Sequence, residues 1–391
     1  MTMQAFATPI KGCYACLHVI SHSKVSSVSH QHQYWLGFSL VPQMGHKRIA
    51  QLYHFFEDME KAWHATENEL RNAGLPSQAL DNLLTQRRVI DVEEKFAQVQ
   101  ACGAWILTIA DEDYPSQLRE IADPPAILYV KGTLTEGDKR ALAIVGTRRP
   151  TQYGRDVSYR IAQKLAEQGI TIISGLAQGV DAMAHLGALD GGGRTIAVLG
   201  TGIDTIYPAQ HEALAKRITE HGALISEFPL GTPPDGKNFP IRNRIISGLG
   251  LGVLVTEAPE RSGALTTANL ALEQGREVFA VPSNIFNKQG RGTNRLIQDG
   301  AKLVMRVRDV LEELQLSYTE VETRQATKRI APDNENEAAL LNYLGADPIH
   351  IDDLIRLTGL SPQLVSSTLA ILELKGIAQN VGNMQYSRVI E

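Results

Sequence analysis

Hydrophobic positions along this chain follow two rhythms. Between residues 141 and 305 they gather into short runs rich in Val, Ile and Leu: 141–145, 170–173, 195–199, 223–226, 252–256, 277–281 and 302–305. Amphipathic stretches such as 157–167, 209–220 and 265–273 lie between them. Unbroken aliphatic runs offer no polar face to water, so they suit a parallel sheet covered on both sides by helix-length crossovers. The pattern predicts an α/β fold, an extended Rossmann-like doubly wound sheet.

Flanking segments keep a helical period instead. Ile49, Leu52, Tyr53 and Phe56, then Ala79, Leu80, Leu83 and Leu84 after Gly74-Leu75-Pro76, predict a helical domain of the SAM or helix-hairpin-helix kind over 35–105. It serves either as packing or as a module whose glycine-turn amides touch phosphate. The α/β domain then occupies 106–316, entered through turns that include Asp111-Glu112-Asp113-Tyr114-Pro115, read as a solvated turn rather than a cation site. A charged linker is expected over 317–334. Residues 335–391 read as three helices and a hairpin around Gly382-Asn383, a winged-helix-like domain with Ser361 as a helix N-cap and Pro362 in the first turn. The helix placed to read DNA, 362–374, contains no Arg or Lys, and 333–391 carry eight acidic against three basic residues. That balance favours partner binding or self-packing over DNA reading.

Residues 1–34 are expected to be a disordered leader. Cys13, Cys16, His18 and His22, with His30 and His32 nearby, suggest zinc, but one residue between Cys16 and His18 leaves almost no loop to fold four ligands into a tetrahedron. No metal and no cofactor is expected. Three cysteines cannot build a disulfide framework, and no run of 18 apolar residues occurs, so a cytoplasmic protein without a membrane segment is the expectation. Net charge over the 391 residues is only −5, yet 141–310 hold 19 Lys and Arg against 15 Asp and Glu. Any nucleic-acid role therefore rests on local charge.

Ligands of a doubly wound sheet sit beyond the carboxyl ends of its strands. The loops predicted there are Gly146-Thr147-Arg148-Arg149-Pro150, the stretch from Ser174-Gly175 to Asp181, Gly200-Thr201-Gly202, and the stretch from Glu257 to Gly263. Neither a G-x-G-x-x-G fingerprint nor a Walker lysine is present, which argues against NAD and P-loop nucleotides. A further loop, Lys237 to Arg244, sets Phe239 among cations, a combination suited to a polymer of bases and phosphates. Arg148 and Arg242 are expected to grip successive phosphates, Phe239 to stack on a base, and the amides of Ser174 and Gly175 to catch a phosphate. Arg149 and Lys237 add charge to the same edge. Asn243 and Arg244 either join the site or hold the wall by capping a helix or pairing with Glu227 or Glu257. Asp181 and His185 have acid/base spacing, Ser262 resembles a nucleophile and Glu257 is a lone candidate for glycosidic chemistry, but no third group orients them.

Taken in order, these loops resemble the bacterial DNA-processing protein A family, also called DprA or Smf. The resemblance runs through Gly146-Thr147-Arg148, Tyr153-Gly154, Ser174-Gly175-Leu176-Ala177, Gly179, Asp181, Ala184, His185, Tyr207-Pro208, Ser226-Glu227 and the Phe239-to-Ile246 stretch. It continues through Glu257-Ala258, Ser262-Gly263, the stretch from Gly275 to Pro282 and that from Gly292 to Gly300. It implies a non-enzymatic single-stranded DNA binder that protects incoming DNA during natural transformation, loads RecA recombinase on it and dimerises through the α/β domain. The implied pocket comprises Arg148, Ser174, Gly175, Lys237, Phe239 and Arg242. Gln178 departs from the family's usual Arg, and Ser283 from a usual Gly. The alternative is a nucleotide or nucleotide-sugar phosphate hydrolase of related fold.

Overall fold

A computed structural model describes residues 22–316, 334–345 and 347–388. They fall into two compact units, divided between Thr319 and Glu320.

The larger unit begins with six helices: α1 (His22–Leu40), α2 (His46–Phe56), α3 (Met59–His64), α4 (Glu67–Asn72), α5 (Ser77–Gln86) and α6 (Val92–Ala101). Helix α1 starts inside the segment expected to be a leader, and Tyr34, Trp35, Leu36 and Phe38 on it are buried. Residues 1–21, with Cys13, Cys16 and His18, lie outside the described residues. The caps that start these helices are local: Asp58 accepts from the amides of Glu60 and Lys61, and Thr66 forms a capping box with Glu69.

The sheet follows. Its elements are β1 (Trp105–Thr108), the short α7 (Ser116–Arg119), β2 (Ile127–Gly132), β3 (Ala141–Val145), α8 (Gln152–Glu167), β4 (Thr171–Ser174), α9 (Val180–Asp190), β5 (Thr195–Val198), α10 (Glu212–His221) and β6 (Ala223–Ser226). Then come α11 (Asn238–Leu249), β7 (Gly252–Val255), α12 (Gly263–Glu273), β8 (Glu277–Ala280), α13 (Arg291–Gln298), β9 (Lys302–Leu303) and α14 (Val307–Glu313). Strand order is β1-β2-β6-β5-β4-β3-β7-β8-β9. The seven strands from β3 onward are parallel, and β1 and β2 extend that sheet antiparallel along one edge. Residues 101–140 thus contribute two strands as well as a connection.

Helices α8, α9 and α14 pack on one face through Ile161, Leu165, Val180, Ala184 and Val310. Helices α11 and α12 cover the other through Ile245, Ile246, Leu249, Ala264 and Ala268. The N-terminal helices share one continuous core with β1, β2, α9 and α10, including Ile106, Tyr129, Leu199 and Ile218. Residues 111–113 form the expected turn with Glu112 and Asp113 exposed, but Asp111 is partly buried and strengthens that junction. Its carboxylate accepts from the amide and hydroxyl of Thr108 at 2.7 and 3.0 Å and lies 3.1 Å from His32 Nε2 on α1.

The smaller unit comprises α15 (Glu335–Leu341), β10 (Ile349–His350), α16 (Ile351–Thr358), α17 (Pro362–Leu374), β11 (Ala378–Gly382) and β12 (Gln385–Arg388). Three helices close over Leu340, Leu354, Val365, Leu369 and Leu372, and the three-stranded sheet β10-β12-β11 forms the wing. The Ser361 side chain accepts from the Leu364 amide, with Pro362 at the start of α17. Asn383 and Met384 take positive φ in the hairpin turn, which matches the right-handed twist of the wing strands. The linker expected over 317–334 lies, apart from residue 334, outside the described residues.

Candidate functional site

Strand order reverses between β3 and β7, so their following loops diverge and leave a crevice at the carboxyl edge of the sheet. A cleft of about 670 Å³ occupies it, walled by Gly146, Thr147 and Arg148 after β3 and by Pro259, Arg261 and Ser262 after β7. The two loops are tied together by the Thr147 amide, which donates to Glu257 O at 2.8 Å. Gly179 crosses beneath them at φ 86°, where a Cβ would lie 2.5 Å from Thr147 O. Only glycine fits that position.

The third wall corrects the sequence reading. Residues 238–249 form helix α11, so Phe239, Arg242, Asn243 and Arg244 lie on a helix and not on a loop. Asp235 starts it: its side chain accepts from the Lys237 amide at 2.9 Å, and its carbonyl from the Asn238 amide at 3.0 Å. Pro240 is harmless in the first turn, where amide donors have no partner within the helix. Helical spacing then sends Phe239, Arg242, Asn243 and Ile246 to the cleft. Arg244 turns to the opposite side. There its guanidinium forms a fork with Glu227, 2.6 Å to each oxygen, and also reaches Asp123 O at 3.0 Å. Arg244 therefore holds the wall of the site, through Glu227 and the Asp123 carbonyl.

Arg242 is likewise not a free phosphate clamp. It is 4% exposed and donates to Gly175 O at 2.9 Å, to Val198 O and, through Nε, to Asn243 Oδ1 at 3.2 Å. Burial pushes its pKa down to about 10, opposed by the charge of Asp181. Burial raises that of Asp181, opposed by Arg242 and by amide donors. The Asp181 carboxylate accepts from the amides of Gly175 and Ala177 at 3.1 and 3.3 Å. The Gly175 amide expected to catch a phosphate is therefore already bonded to the Asp181 side chain. The Ser174 hydroxyl is buried and donates to Ile144 O at 2.6 Å.

What remains accessible centres on Arg148. Its exposed guanidinium lies over Phe239, 5.4 Å from the ring centroid, with Arg242 at 5.9 Å and the Tyr207 ring at 5.7 Å. Phe239 is half-buried against Gly200, where a Cβ would come within 2.7 Å of the ring. Phe239 thus supports the Arg148 guanidinium and still lines both the cleft and the adjoining slot. Tyr207, 43% exposed, offers the open aromatic surface. Sequence reasoning did not select Tyr207 or Arg261 as site residues; an aromatic-proline pair after a Gly-Thr-Gly loop was the available signal. Arg149 is exposed and lines a neighbouring groove, and Lys237 is exposed at the start of α11.

The groups with catalytic spacing are engaged structurally. Glu257, fully buried, accepts from the Thr151 amide and hydroxyl at 2.7 Å each, fixing the start of α8. Ser262 caps α12 by accepting from the Ala264 amide. His185 is fully buried with Nδ1 2.7 Å from Thr195 Oγ1. The Thr195 hydroxyl donates to Ile172 O, so Nδ1 carries the proton and Nε2 is left as an acceptor without a partner. Burial, followed by the charges of His211 and Arg242, pushes the His185 pKa down to about 3. Among the described residues no group of three or more His, Cys, Asp or Glu is arranged to hold a metal ion, and no helix is long and apolar enough to cross a membrane.

Residues 105–315 match the family described as DNA recombination-mediator protein A, and 324–383 match the DprA winged helix domain. The chain is 36% identical over 390 residues to Protein Smf of Synechocystis sp., covering 91% of this chain and 98% of that one. It is 45% identical over 222 residues to DNA processing protein DprA of Bacillus subtilis, covering 56% and 75% respectively. Its fold is similar to the X-ray structure of DNA processing protein A from Streptococcus pneumoniae, with a TM-score of 0.65 and 33% identity, covering 73% of this chain and 99% of that one. A parallel sheet with its crevice between β3 and β7, a winged-helix unit after it and full-length similarity to Smf agree, and the chain belongs to the DNA recombination-mediator protein A family, also called DprA or Smf.

Proposed function

We propose that this protein binds single-stranded DNA in the cleft between β3 and β7 and acts as a recombination mediator, without catalysing a reaction on the strand. The observation that carries the reading is the exposed Arg148 guanidinium, held over Phe239 beside the open ring of Tyr207. A cation at a fixed height next to an accessible aromatic engages a phosphate and an unstacked base together, and a duplex keeps its base faces hidden. Arg148, Lys237 and Tyr207 are the contact residues in this reading, with Arg149 adding charge from the neighbouring groove. Arg242 and Asn243 shape the floor, Gly175 lines the adjoining slot, and Arg244 fixes α11 from behind.

Membership of the family supports the rest: a homodimer formed through the α/β domain that protects incoming DNA in natural transformation and loads RecA recombinase on it. Labelled single- and double-stranded oligonucleotides, titrated against wild type and R148A, test the first step. The expected result is a salt-sensitive preference for the single strand that R148A weakens. Equal, weak binding to both forms, indifferent to salt and to R148A, would sink the reading. Strand exchange by RecA in the presence of a single-strand-binding protein tests loading, and sedimentation equilibrium tests the dimer.

A further inference from the structure

Beside the cleft, between the starts of α8 and α9, runs a second groove of about 400 Å³ walled by Arg148, Arg149, Arg155, Gln178, Met183 and His211, among others. None of its lining residues is acidic. Several cations elsewhere on this unit have carboxylate partners, as in Arg194 with Asp138, Arg217 with Asp190 and Arg276 with Glu120. Among the described residues Arg148, Arg149 and Arg155 have none, although all three are exposed. His211 donates from Nδ1 to Leu176 O at 2.9 Å, which leaves Nε2 unengaged in the groove wall.

Three adjacent cations without a counter-charge repel one another, and that cost is relieved by an anion. We propose that this groove is a second phosphate subsite for the same DNA strand, with Arg149 and Arg155 as its anion-binding groups. This inference rests on the single-strand reading given above. Arg148 is common to the large cleft, to the small slot between Tyr207, Pro208 and Phe239, and to this groove. A strand whose base meets Tyr207 therefore has a continuous cationic path over Arg148 toward α8. Arg155 lines the groove and neither of the other two sites, so it reports on the subsite alone.

Binding of short and long oligonucleotides, on the order of 4 and 16 nucleotides, to the full chain and its R155Q and R155K variants tests the proposal. R155Q should leave the short oligonucleotide's affinity unchanged and weaken the long one roughly fivefold at about 0.1 M salt, lowering the slope of log K against log salt by about 0.7. R155K should retain most of the long-strand affinity. Equal affinities and slopes for R155Q and wild type on the long strand would overturn the subsite and leave the single-strand reading standing. An equal loss on both lengths would also overturn it, by placing Arg155 in the first cleft's field. A wild type that binds neither length refutes the single-strand reading and the subsite with it.

Discussion

Arg148, at the end of β3, holds its guanidinium 5.4 Å from the ring centroid of Phe239 on α11. Two segments far apart in the chain meet there, and the contact sets the height of a cation above the cleft floor. Removing the ring in F239A should let Arg148 roam without removing its charge. A cation–π contact at an exposed site is worth about 0.5–1 kcal/mol, so single-strand affinity should fall about two- to fivefold. G200A should act in the same direction, because its Cβ would press on the ring from below. Fluorescence anisotropy, with circular dichroism to confirm an intact fold, measures both. Unchanged affinity in F239A would remove Phe239 from the positioning role.

Arg242 should behave differently from Arg148. R242A strips the donors from two buried carbonyls, Gly175 O and Val198 O, and removes the positive charge that opposes the burial of Asp181. A loss of stability on the order of 3 kcal/mol is expected, against well under 1 kcal/mol for exposed R148A. Urea denaturation of the two variants separates them.

His185 makes stability depend on pH. Its folded pKa is pushed down to about 3 from the ordinary histidine value of 6.5, so the unfolded chain binds the proton first as pH falls. The contribution is fully present above pH 6.5 and is lost progressively as pH drops toward 3. The slope is up to about 1.4 kcal/mol per pH unit. Chemical denaturation at a series of pH values should show H185N lacking this component of the slope. An identical slope in both proteins would mean that the imidazole is not held neutral.

Gln178 is exposed and lines both the slot and the second groove. Q178R adds one cation on the proposed path of the strand, so binding should strengthen roughly fivefold at about 0.1 M salt, with the salt slope steeper by about 0.7. A salt titration of single-strand binding reads both effects.

The parallel strands β3 to β7 were legible because strands buried on both faces must be apolar throughout, as Ala141–Val145 is, whereas the edge strand β9, Lys302–Leu303, is exposed. Strands β1 and β2 were harder to see, since the antiparallel edge is interrupted by the turn around Asp111 and by Pro124-Pro125. Helix α11 was missed because Pro240 and an Asn-rich, charged start look like a loop until the Asp235 turn is seen to launch a helix. The chemistry of the site was legible as a set of residue types and not as exposure. Arg148 and Arg242 look equivalent in sequence, yet one faces solvent and the other is held by two carbonyls. Tertiary packing alone makes that distinction.

The carboxylate of Asp181 sits against the amides of Gly175 and Ala177, at the start of a helix where many Rossmann-like proteins seat the phosphate of a small nucleotide. Here that seat is permanently taken by a group the chain carries itself. A free mononucleotide loses its strongest anchoring point, while a polymer still gathers affinity from many weak contacts spread along the rim. Under the proposed single-strand reading, the filled seat would make the crevice a discriminator of length, with monomeric nucleotides bound more weakly than a connected strand that gathers contacts along the rim.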